Sequence, residues 1–311
     1  MNRLEAMSLL VTVVEEGSLS AAGRRLGIPL PTVSRKVSEL EAHLKTQLLV
    51  RSTRKLGLTK AGTAYIAASK RILEWVDEAE EQAAGEYSAP RGDLAITAPV
   101  AFGRLHVLPI VNDFLLRFPE INVRMTLSDK NIDLIDDHID MAVRIGELPD
   151  STMVATRVGA IRRVVCGSPA YFKAHGTPQK PDDLNAHMCV AFAIASPASS
   201  WTFAKNGKGP ARAIRPVCRL AVNTAEAAVD AAIAGIGLTR VLSYQAEQAI
   251  RQGKLKIVLQ DFEPAPIPVH LMHAGQNILP LKMRHFLEFA APRIRKALNA
   301  ENERCRKNAK T

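Results

Sequence analysis

The sequence predicts an α/β protein in two parts, a small helical domain followed by a larger domain of alternating strands and helices. Three observations indicate this organisation. Apolar residues follow helical spacing within residues 1–60, a heptad repeat covers 61–79, and strand patterns alternate with helix patterns from 91 to 295. A length of 311 residues suits two or three domains, and 47% hydrophobic with 23% charged residues excludes a disordered or fibrous chain.

The first two helices are predicted from apolar spacing and from capping residues. The apolar residues of the first helix recur at i, i+3, i+7 and i+10 and share the face that we expect to be buried: Leu4, Met7, Val11 and Val14. Ser18 is placed to cap the start of a second helix over 19–26, which ends at Gly27.

A third helix begins near Pro31, and its apolar and polar faces are separate. Four apolar residues lie within about 60° of one another on the helical wheel and face inward: Val33, Val37, Leu40 and Leu44. The outer side carries Pro31, Arg35 and Ser38, with Thr32 and Ser34 on its flanks. A short helix with a small, polar, singly basic outer face fits the major groove of DNA. The spacing of Gly23, Gly27 and Val33 is typical of a helix-turn-helix.

Residues 48–59 place apolar segments on either side of a basic, hydroxyl-rich tip. This pattern predicts a hairpin wing that lies along DNA phosphates, with these residues at its tip: Arg51, Ser52, Thr53, Arg54 and Lys55. Residues 1–60 carry a net charge of +5, whereas residues 61–88 carry −4 within a chain of +10. A basic N-terminal segment suits a polyanionic partner. A small helical domain with a solvated basic loop is the alternative.

Three segments in order, 17–22 (GSLSAA), 26–28 (LGI) and 32–41 (TVSRKVSELE), resemble the winged helix-turn-helix of LysR-type transcriptional regulators. Residues 48–62 (LLVRSTRKLGLTKAG) are similar to that family's wing and exit. The sequence departs from the family at Gly23, where Ala is usual, and at Leu49, where Phe is usual. The resemblance implies DNA contacts from one residue of the second helix, the outer face of the third, and the wing tip: Ser20, Pro31, Thr32, Ser34, Arg35, Ser38, Arg51, Ser52, Thr53, Arg54 and Lys55.

Residues 61–88 are predicted as a linker helix that joins two copies of the chain. Its apolar residues alternate steps of four and three: Ala61, Tyr65, Ala68, Ile72, Trp75 and Ala79. Thr59 is placed to cap this helix. The family resemblance favours dimerisation through Tyr65, Ala68, Ile72, Trp75 and Ala79. A helix that packs on its own domain is the alternative.

The domain over 89–298 is predicted as two lobes with an open, mostly parallel sheet. Its first lobe covers about 91–161 and 268–298. Strands are expected at 94–98, 121–127 and 139–145, and helices at 100–118, 132–137 and 281–298. Residues 161–167 cross to a second lobe, about 162–267, with helices at 225–234 and 243–252 around a strand at 236–241. A strand at 267–273 returns, and the basic tail 299–311 is expected to be disordered.

Segments 92–99 (GDLAITAP), 140–146 (DMAVRIG) and 234–238 (AGIGL) resemble the LysR effector domain, which is similar in fold to type 2 periplasmic binding proteins. With the N-terminal part, the resemblance covers about residues 1–295. It implies a transcriptional regulator whose partners are operator DNA, a small-molecule effector, and a second copy of the chain in a dimer or dimer of dimers. RNA polymerase is a further expected partner.

The effector is expected between the lobes, beyond the carboxyl ends of the strands. The residues at these ends are Thr97, Ala98, Pro99, Val100, Ser128, Arg144, Gly146, Asn223 and Thr224. The helix that starts at Val100 offers N–H groups to an anion, so an anionic effector is expected. Thr97 serves either as a ligand contact or as a cap, and Asn223 with Glu226 also fits a capping box. Arg144 pairs either with a ligand carboxylate or with a nearby Asp.

No cofactor, metal site or enzymatic activity is predicted. The four cysteines stand far apart without metal-binding spacing, and reduced thiols of a cytoplasmic protein are the expectation. Glu15 and Glu16 follow the first apolar run where a signal peptide has a cleavage site. An architectural DNA-binding protein has no use for a bilobal receptor domain, and a solute receptor needs an export signal. A regulator that has lost its effector is the third alternative.

Overall fold

The computed structural model describes residues 2–51, 56–83, 89–130, 133–134, 137–148, 153–192, 200–207, 210–275 and 279–307. The chain divides into two compact units, Met1–Ala89 and Pro90–Thr311. None of the helices in the described ranges combines the length and the apolar character needed to cross a bilayer.

The first unit is a three-helix domain followed by a hairpin and a long helix. Its elements are α1 (Arg3–Glu15), α2 (Leu19–Leu26), α3 (Leu30–Leu44), β1 (Leu49–Arg51), β2 (Leu56–Leu58) and α4 (Lys60–Ala83). The strands β1 and β2 pair in antiparallel register, as predicted for the wing. The capping predictions are also confirmed, because Ser18 Oγ accepts the Ala21 N–H at 3.0 Å and Thr59 Oγ1 accepts the Gly62 N–H at 2.9 Å.

The buried face of α1 differs from the predicted one. The residues that enter the core are Ala6, Leu9, Leu10 and Val13, each at most 3% exposed. Of the predicted set, Leu4 is 39% exposed and the other three are only partly buried. Both sets have helical spacing, and packing of α1 against α3 and α4 selects the first.

The second unit contains two five-stranded sheets with helices on their faces. Its elements are β3 (Gly92–Ala98), α5 (Val100–Phe102), α6 (Leu108–Arg117), β4 (Ile121–Leu127), β5 (Met141–Ile145), β6 (Met153–Ile161), β7 (Arg163–Gly167), α7 (Pro169–His175), β8 (Met188–Phe192), β9 (Trp201–Phe203), β10 (Arg212–Ile214), β11 (Val217–Val222), α8 (Ala225–Ile233), β12 (Leu238–Leu242), α9 (Ser243–Arg251), β13 (Lys256–Val258), β14 (Ile267–Ala274) and α10 (Leu281–Lys307).

The two sheets define the two lobes. Lobe I has the order β4-β3-β5-β14-β6 and lobe II the order β11-β8-β12-β7-β13. The chain crosses at residue 162 between β6 and β7 and returns in β14, as predicted. The prediction of a mostly parallel sheet is wrong, because each sheet joins two parallel pairs to two antiparallel pairs. The antiparallel strands are the ones that begin or end at the crossings, where the chain reverses direction.

Three local predictions are corrected. The sequence interpretation missed β6, whose apolar residues do not alternate regularly. Of the helix predicted at 132–137, residues 132, 135 and 136 lie outside the described residues, and 133, 134 and 137 are not helical. The tail predicted to be disordered from 299 is helical as far as Lys307, because α10 continues through it.

The long helix predicted over 100–118 contains a π-helical turn at Gly103–Val107 between α5 and α6. Gly103 lies against the lobe I sheet, where a Cβ atom would overlap Leu127 Cδ2 and lie 3.1 Å from Ala98 Cβ. Glycine therefore lets this helix approach the sheet closely. Phe102 and Phe114, on either side of the turn, are fully buried in the lobe I core.

Candidate DNA interface and effector cleft

The turn between α2 and α3 sets the position of α3. Gly27 adopts the left-handed conformation with φ of 66°, and the Ile28 N–H donates to the Gly23 carbonyl at 2.9 Å. A Cβ on Gly23 would lie 2.7 Å from the Ile28 carbonyl oxygen, which is too close for an unshifted backbone. This contact explains why glycine fits at a position where the family usually has alanine.

The third helix buries one face and exposes the other, as predicted. Val33, Val37 and Leu40 are at most 1% exposed. On the opposite side Pro31, Arg35 and Ser38 are exposed, Thr32 and Ser34 are partly buried on the flanks, and Ser20 of α2 is exposed. A buried apolar face fixes the rotation of α3 about its axis, so the small polar residues stay outward.

Arg35 is held on the surface of α3 by a neighbour one turn away. Its Nη1 donates to Glu39 Oε1 at 2.9 Å, and the two side chains are 65% and 43% exposed. Such exposed i,i+4 pairs are weak. The guanidinium therefore remains available to a partner that binds it more strongly.

The wing is fixed to α3 by Glu41, which the sequence interpretation missed. Glu41 Oε1 accepts the backbone N–H groups of Leu48 at 2.8 Å and Leu49 at 3.0 Å. This contact orients β1 as it leaves the helical core. The backbone of Arg51 ends β1 opposite Leu56. The remaining predicted wing residues, Ser52, Thr53, Arg54 and Lys55, lie outside the described residues.

The linker helix α4 has one face on its own unit and another in solvent. Ile66 and Ser69 are 8% and 1% exposed on the face against α1. Of the predicted dimer residues, Ala68 and Ala79 are exposed, Trp75 is 42% exposed and Ile72 is partly buried, whereas Tyr65 packs partly against the core of its own unit. The alternative of a helix that packs on its own domain thus accounts for Ile66, Ser69 and part of Tyr65, and it leaves Ala68, Trp75 and Ala79 uncovered by the described residues.

In lobe I, the predicted effector residues at the end of β3 are engaged in the fold. Thr97 and Ala98 are fully buried, and Thr97 Oγ1 donates to the Thr126 carbonyl at 2.9 Å instead of capping the helix. Pro99 is partly buried, and the exposed Val100 directs its N–H to Asp129 Oδ1 at 3.0 Å. The side chain of Asp129 therefore already places a negative charge at this helix N-terminus.

The next two strand ends of lobe I carry Ser128, Arg144 and Gly146. Ser128 Oγ accepts the Lys130 N–H at 3.1 Å. Arg144 is partly buried, and its burial lowers the pKa of its guanidinium. The Asp140 carboxylate, a suggested partner of Arg144, accepts the Ala95 N–H at 2.8 Å. Gly146 has φ of 136°, a conformation that requires glycine.

In lobe II, Asn223 and Thr224 precede α8 and are exposed. The cap of this helix is Thr224, whose Oγ1 accepts the Ala227 N–H at 3.3 Å. The capping box predicted for Asn223 and Glu226 is therefore wrong, because the capping residue is Thr224, one position later.

A cavity of about 440 Å³ lies between residues 104–106 of lobe I and the helices α8 and α9 of lobe II. Arg104, Glu226, Asp230, Tyr244 and Gln248 are among its lining residues, and none of the predicted effector residues lines it. Most of its lining residues belong to the two helices α8 and α9.

An ion pair that the sequence did not predict lies at the lobe crossing. Arg162 Nε and Nη2 donate to Glu263 Oε2 and Oε1, both at 2.7 Å, and the side chains are only 15% and 13% exposed. The pair joins the outgoing crossing to the segment that leads back to lobe I. No local pattern reveals it, because the two residues are 101 positions apart.

Both units match known families. Residues 4–63 match the bacterial regulatory helix-turn-helix proteins of the lysR family, and residues 88–295 match the LysR substrate binding domain. The chain belongs to the LysR family. Its resemblance to LysR-type regulators, inferred above from short segments, is therefore confirmed over both units.

LysR-type relatives align over nearly the whole chain. An HTH-type transcriptional regulator of Xanthomonas campestris pv. campestris (strain 8004) is 33% identical over 290 residues, which is 92% of this chain and 84% of the relative. The HTH-type transcriptional activator AaeR of Escherichia coli (strain K12) is 32% identical over 284 residues, 91% of each chain. The structure of CrgA, a LysR-type regulator from Neisseria meningitidis, covers 93% of this chain and 98% of its own with 28% identity and a TM-score of 0.59.

This LysR-type protein is a sequence-specific DNA-binding transcriptional regulator whose output is modulated by a small-molecule effector. The family is a class of regulators without enzymatic activity, in agreement with the sequence interpretation. An architectural DNA-binding protein and a solute receptor are excluded as alternatives, because relatives share both units of the chain.

Proposed function

We propose that this regulator reads its operator with the outer face of α3 and anchors itself on phosphates through the wing. The observation that carries the proposal is the division of α3 into a buried apolar face and an exposed face of small polar residues with Arg35. A helix of this kind enters a major groove without steric conflict. The net charge of +5 over residues 1–60 supplies the attraction to phosphates.

We further propose a homodimer, or a dimer of dimers, joined through the heptad face of α4. The exposed Trp75, at 42%, with Ala68 and Ala79 supports a face that a second copy covers. Two copies would present two α3 helices to two half-sites of a partly palindromic operator. Sedimentation tests this: Trp75→Glu should yield monomers at concentrations where the wild type is dimeric, and an unchanged dimer would place the interface elsewhere.

The effector is proposed to be a small anion that binds between the two lobes in the cytoplasm, where operator DNA is present. Contact with RNA polymerase is a further proposal, supported by the family resemblance and tested by co-purification on operator DNA. The effector residues proposed from the sequence at the lobe I strand ends lose some of their support, because Thr97 and Ala98 are buried and Asp129 occupies the N–H of Val100.

The test of DNA recognition is binding of the purified protein to DNA upstream of its own gene and of the divergent neighbour, against scrambled DNA, at several salt concentrations. We expect selective binding that survives ~150 mM salt. Binding with equal affinity for both DNAs that collapses as salt rises would contradict the proposal for this DNA, since only the electrostatic attraction would then be present.

A further inference from the structure

Two arginines lie side by side on one face of the lobe II sheet. In the antiparallel pairing of β7 with β12, Arg240 lies opposite Val165 and Leu242 lies opposite Arg163. Arg163 and Arg240 are therefore diagonal neighbours on the same face, at a spacing that long side chains bridge.

The Arg240 guanidinium contacts two backbone carbonyls and one aromatic ring. It donates to the backbone carbonyls of Thr202 at 3.3 Å and Ser200 at 3.4 Å, and it lies 5.4 Å from the centre of the Trp201 ring. Burial, and to a smaller extent the positive charge of Arg163, lowers the pKa of Arg240 to about 9. Burial also lowers the pKa of Arg163. Arginine side chains stay protonated in proteins, so two like charges share a partly desolvated site.

Within the described residues, neither guanidinium has a carboxylate partner. The carboxylate of Glu263, beside the crossing, directs both oxygens to Arg162. Residues 193–199, which precede Ser200 in the sequence, include no acidic residue (AIASPAS). Partly buried cations without a counter-ion are costly, and arginines in proteins are usually paired when they are buried.

The arginine pair lies at the end of lobe II that adjoins lobe I. Arg163 directly follows the crossing residue, and its strand partner Leu242 ends β12 immediately before α9. The Ser243 N–H donates to the Arg162 carbonyl at 2.9 Å at this junction. A ligand between the lobes is therefore within reach of the pair.

We propose that Arg163 and Arg240 form the anion subsite of the effector site and bind the oxygens of a carboxylate or phosphate group on a small molecule. This inference rests on the proposed anionic effector and moves its charged group from the lobe I helix N-terminus to lobe II. Planar guanidinium groups suit two-oxygen anions, and a bound anion neutralises both charges at once. Lobe I stays free to contact the rest of the effector.

The test is a titration of the full-length protein with sodium benzoate, sodium succinate and sodium phosphate at constant ionic strength, with sodium chloride as the reference. The chain has two tryptophans, and Trp201 is 3% exposed beside Arg240, so its emission reports on the site. We expect saturable binding of at least one of the three anions and no signal in Trp201→Phe. The anion that binds distinguishes a carboxylate from a phosphate effector.

Three variants decide whether the arginines are responsible. Arg163→Gln and Arg240→Gln should each weaken anion binding at least tenfold, whereas Arg215→Gln, an exposed position of the same lobe, should bind like the wild type. Without anion, the thermal midpoint of Arg163→Gln should stay equal or rise, because a like charge is removed. A fall in that midpoint would instead assign Arg163 a structural role and overturn the proposal.

Three other outcomes also overturn the proposed anion subsite. They are no response to any of the three anions, an equal response to chloride, or unchanged anion affinity in both Arg163→Gln and Arg240→Gln. Operator binding by the same wild-type preparation tests DNA recognition separately from the arginine subsite. Selective operator binding with a failed titration rejects the arginine subsite alone, whereas loss of selectivity counts against DNA recognition whatever the titration shows.

Discussion

Replacing Arg35 by Ala is expected to weaken operator binding, and replacing Glu39 by Gln is expected to strengthen it. A bidentate arginine–guanine contact contributes about 1–3 kcal/mol of discrimination, which is about 5- to 150-fold in affinity. In the free protein Arg35 is paired with Glu39 at 2.9 Å on an exposed surface. An exposed i,i+4 pair is worth about 0.3–0.5 kcal/mol, so release of Arg35 costs about a factor of two. Glu39→Gln should therefore raise operator affinity about twofold, and by more if the Glu39 carboxylate also repels DNA phosphates.

Fluorescence anisotropy with operator and scrambled duplexes at several salt concentrations measures these effects. The double variant Arg35→Ala/Glu39→Gln completes a mutant cycle. If Glu39 acts through Arg35, the gain in operator affinity caused by Glu39→Gln disappears when Arg35 is absent. A gain that persists in the double variant would show that Glu39 acts on phosphates directly. Equal loss on both duplexes in Arg35→Ala would refute base reading and make Arg35 a phosphate contact.

Further predictions concern the wing, the cap of α2 and the hinge. Arg54→Ala should weaken binding to both duplexes alike and lower the salt slope by about one, and an unchanged slope removes it from the phosphate contacts. Ser18→Ala removes the α2 cap and should cost about 1 kcal/mol of unfolding free energy in urea, whereas Ser20→Ala should stay within about 0.5 kcal/mol; equal losses would refute the capping role. Glu263→Gln should cost about 3 kcal/mol in the same assay, because Arg162 loses its carboxylate while mostly buried; a loss under about 1 kcal/mol would mean that solvent screens the pair.

In the DNA-binding unit, the ends of α2 and the buried face of α3 could be predicted from local sequence. Ser18 and Gly27 define the ends of α2 because a cap depends on groups within three or four positions along the chain. The inward face of α3 follows from one continuous set of apolar residues, Val33, Val37 and Leu40, with polar residues on the remaining sides. The family resemblance extended this assignment to the bilobal unit and to its regulatory role.

The buried face of α1 shows where local pattern stops being sufficient. Leu4 and Leu10 both belong to apolar sets with helical spacing, yet Leu4 is 39% exposed and Leu10 is fully buried. A helix with apolar residues on several sides has no preferred rotation of its own. The surfaces of α3 and α4 against which it packs decide which set enters the core.

The effector region depended most on tertiary structure. The sequence predicted effector contacts at the strand ends, but the Asp129 contact with the Val100 N–H and the burial of Thr97 arise from contacts between neighbouring strands. Arg163 and Arg240 are 77 positions apart and carry no shared motif. The sequence by itself determined the caps of α2 and α4 and the inward face of α3. Only the pairing of β7 with β12 brought two like charges together, because strand pairing is decided by the packing of the whole lobe.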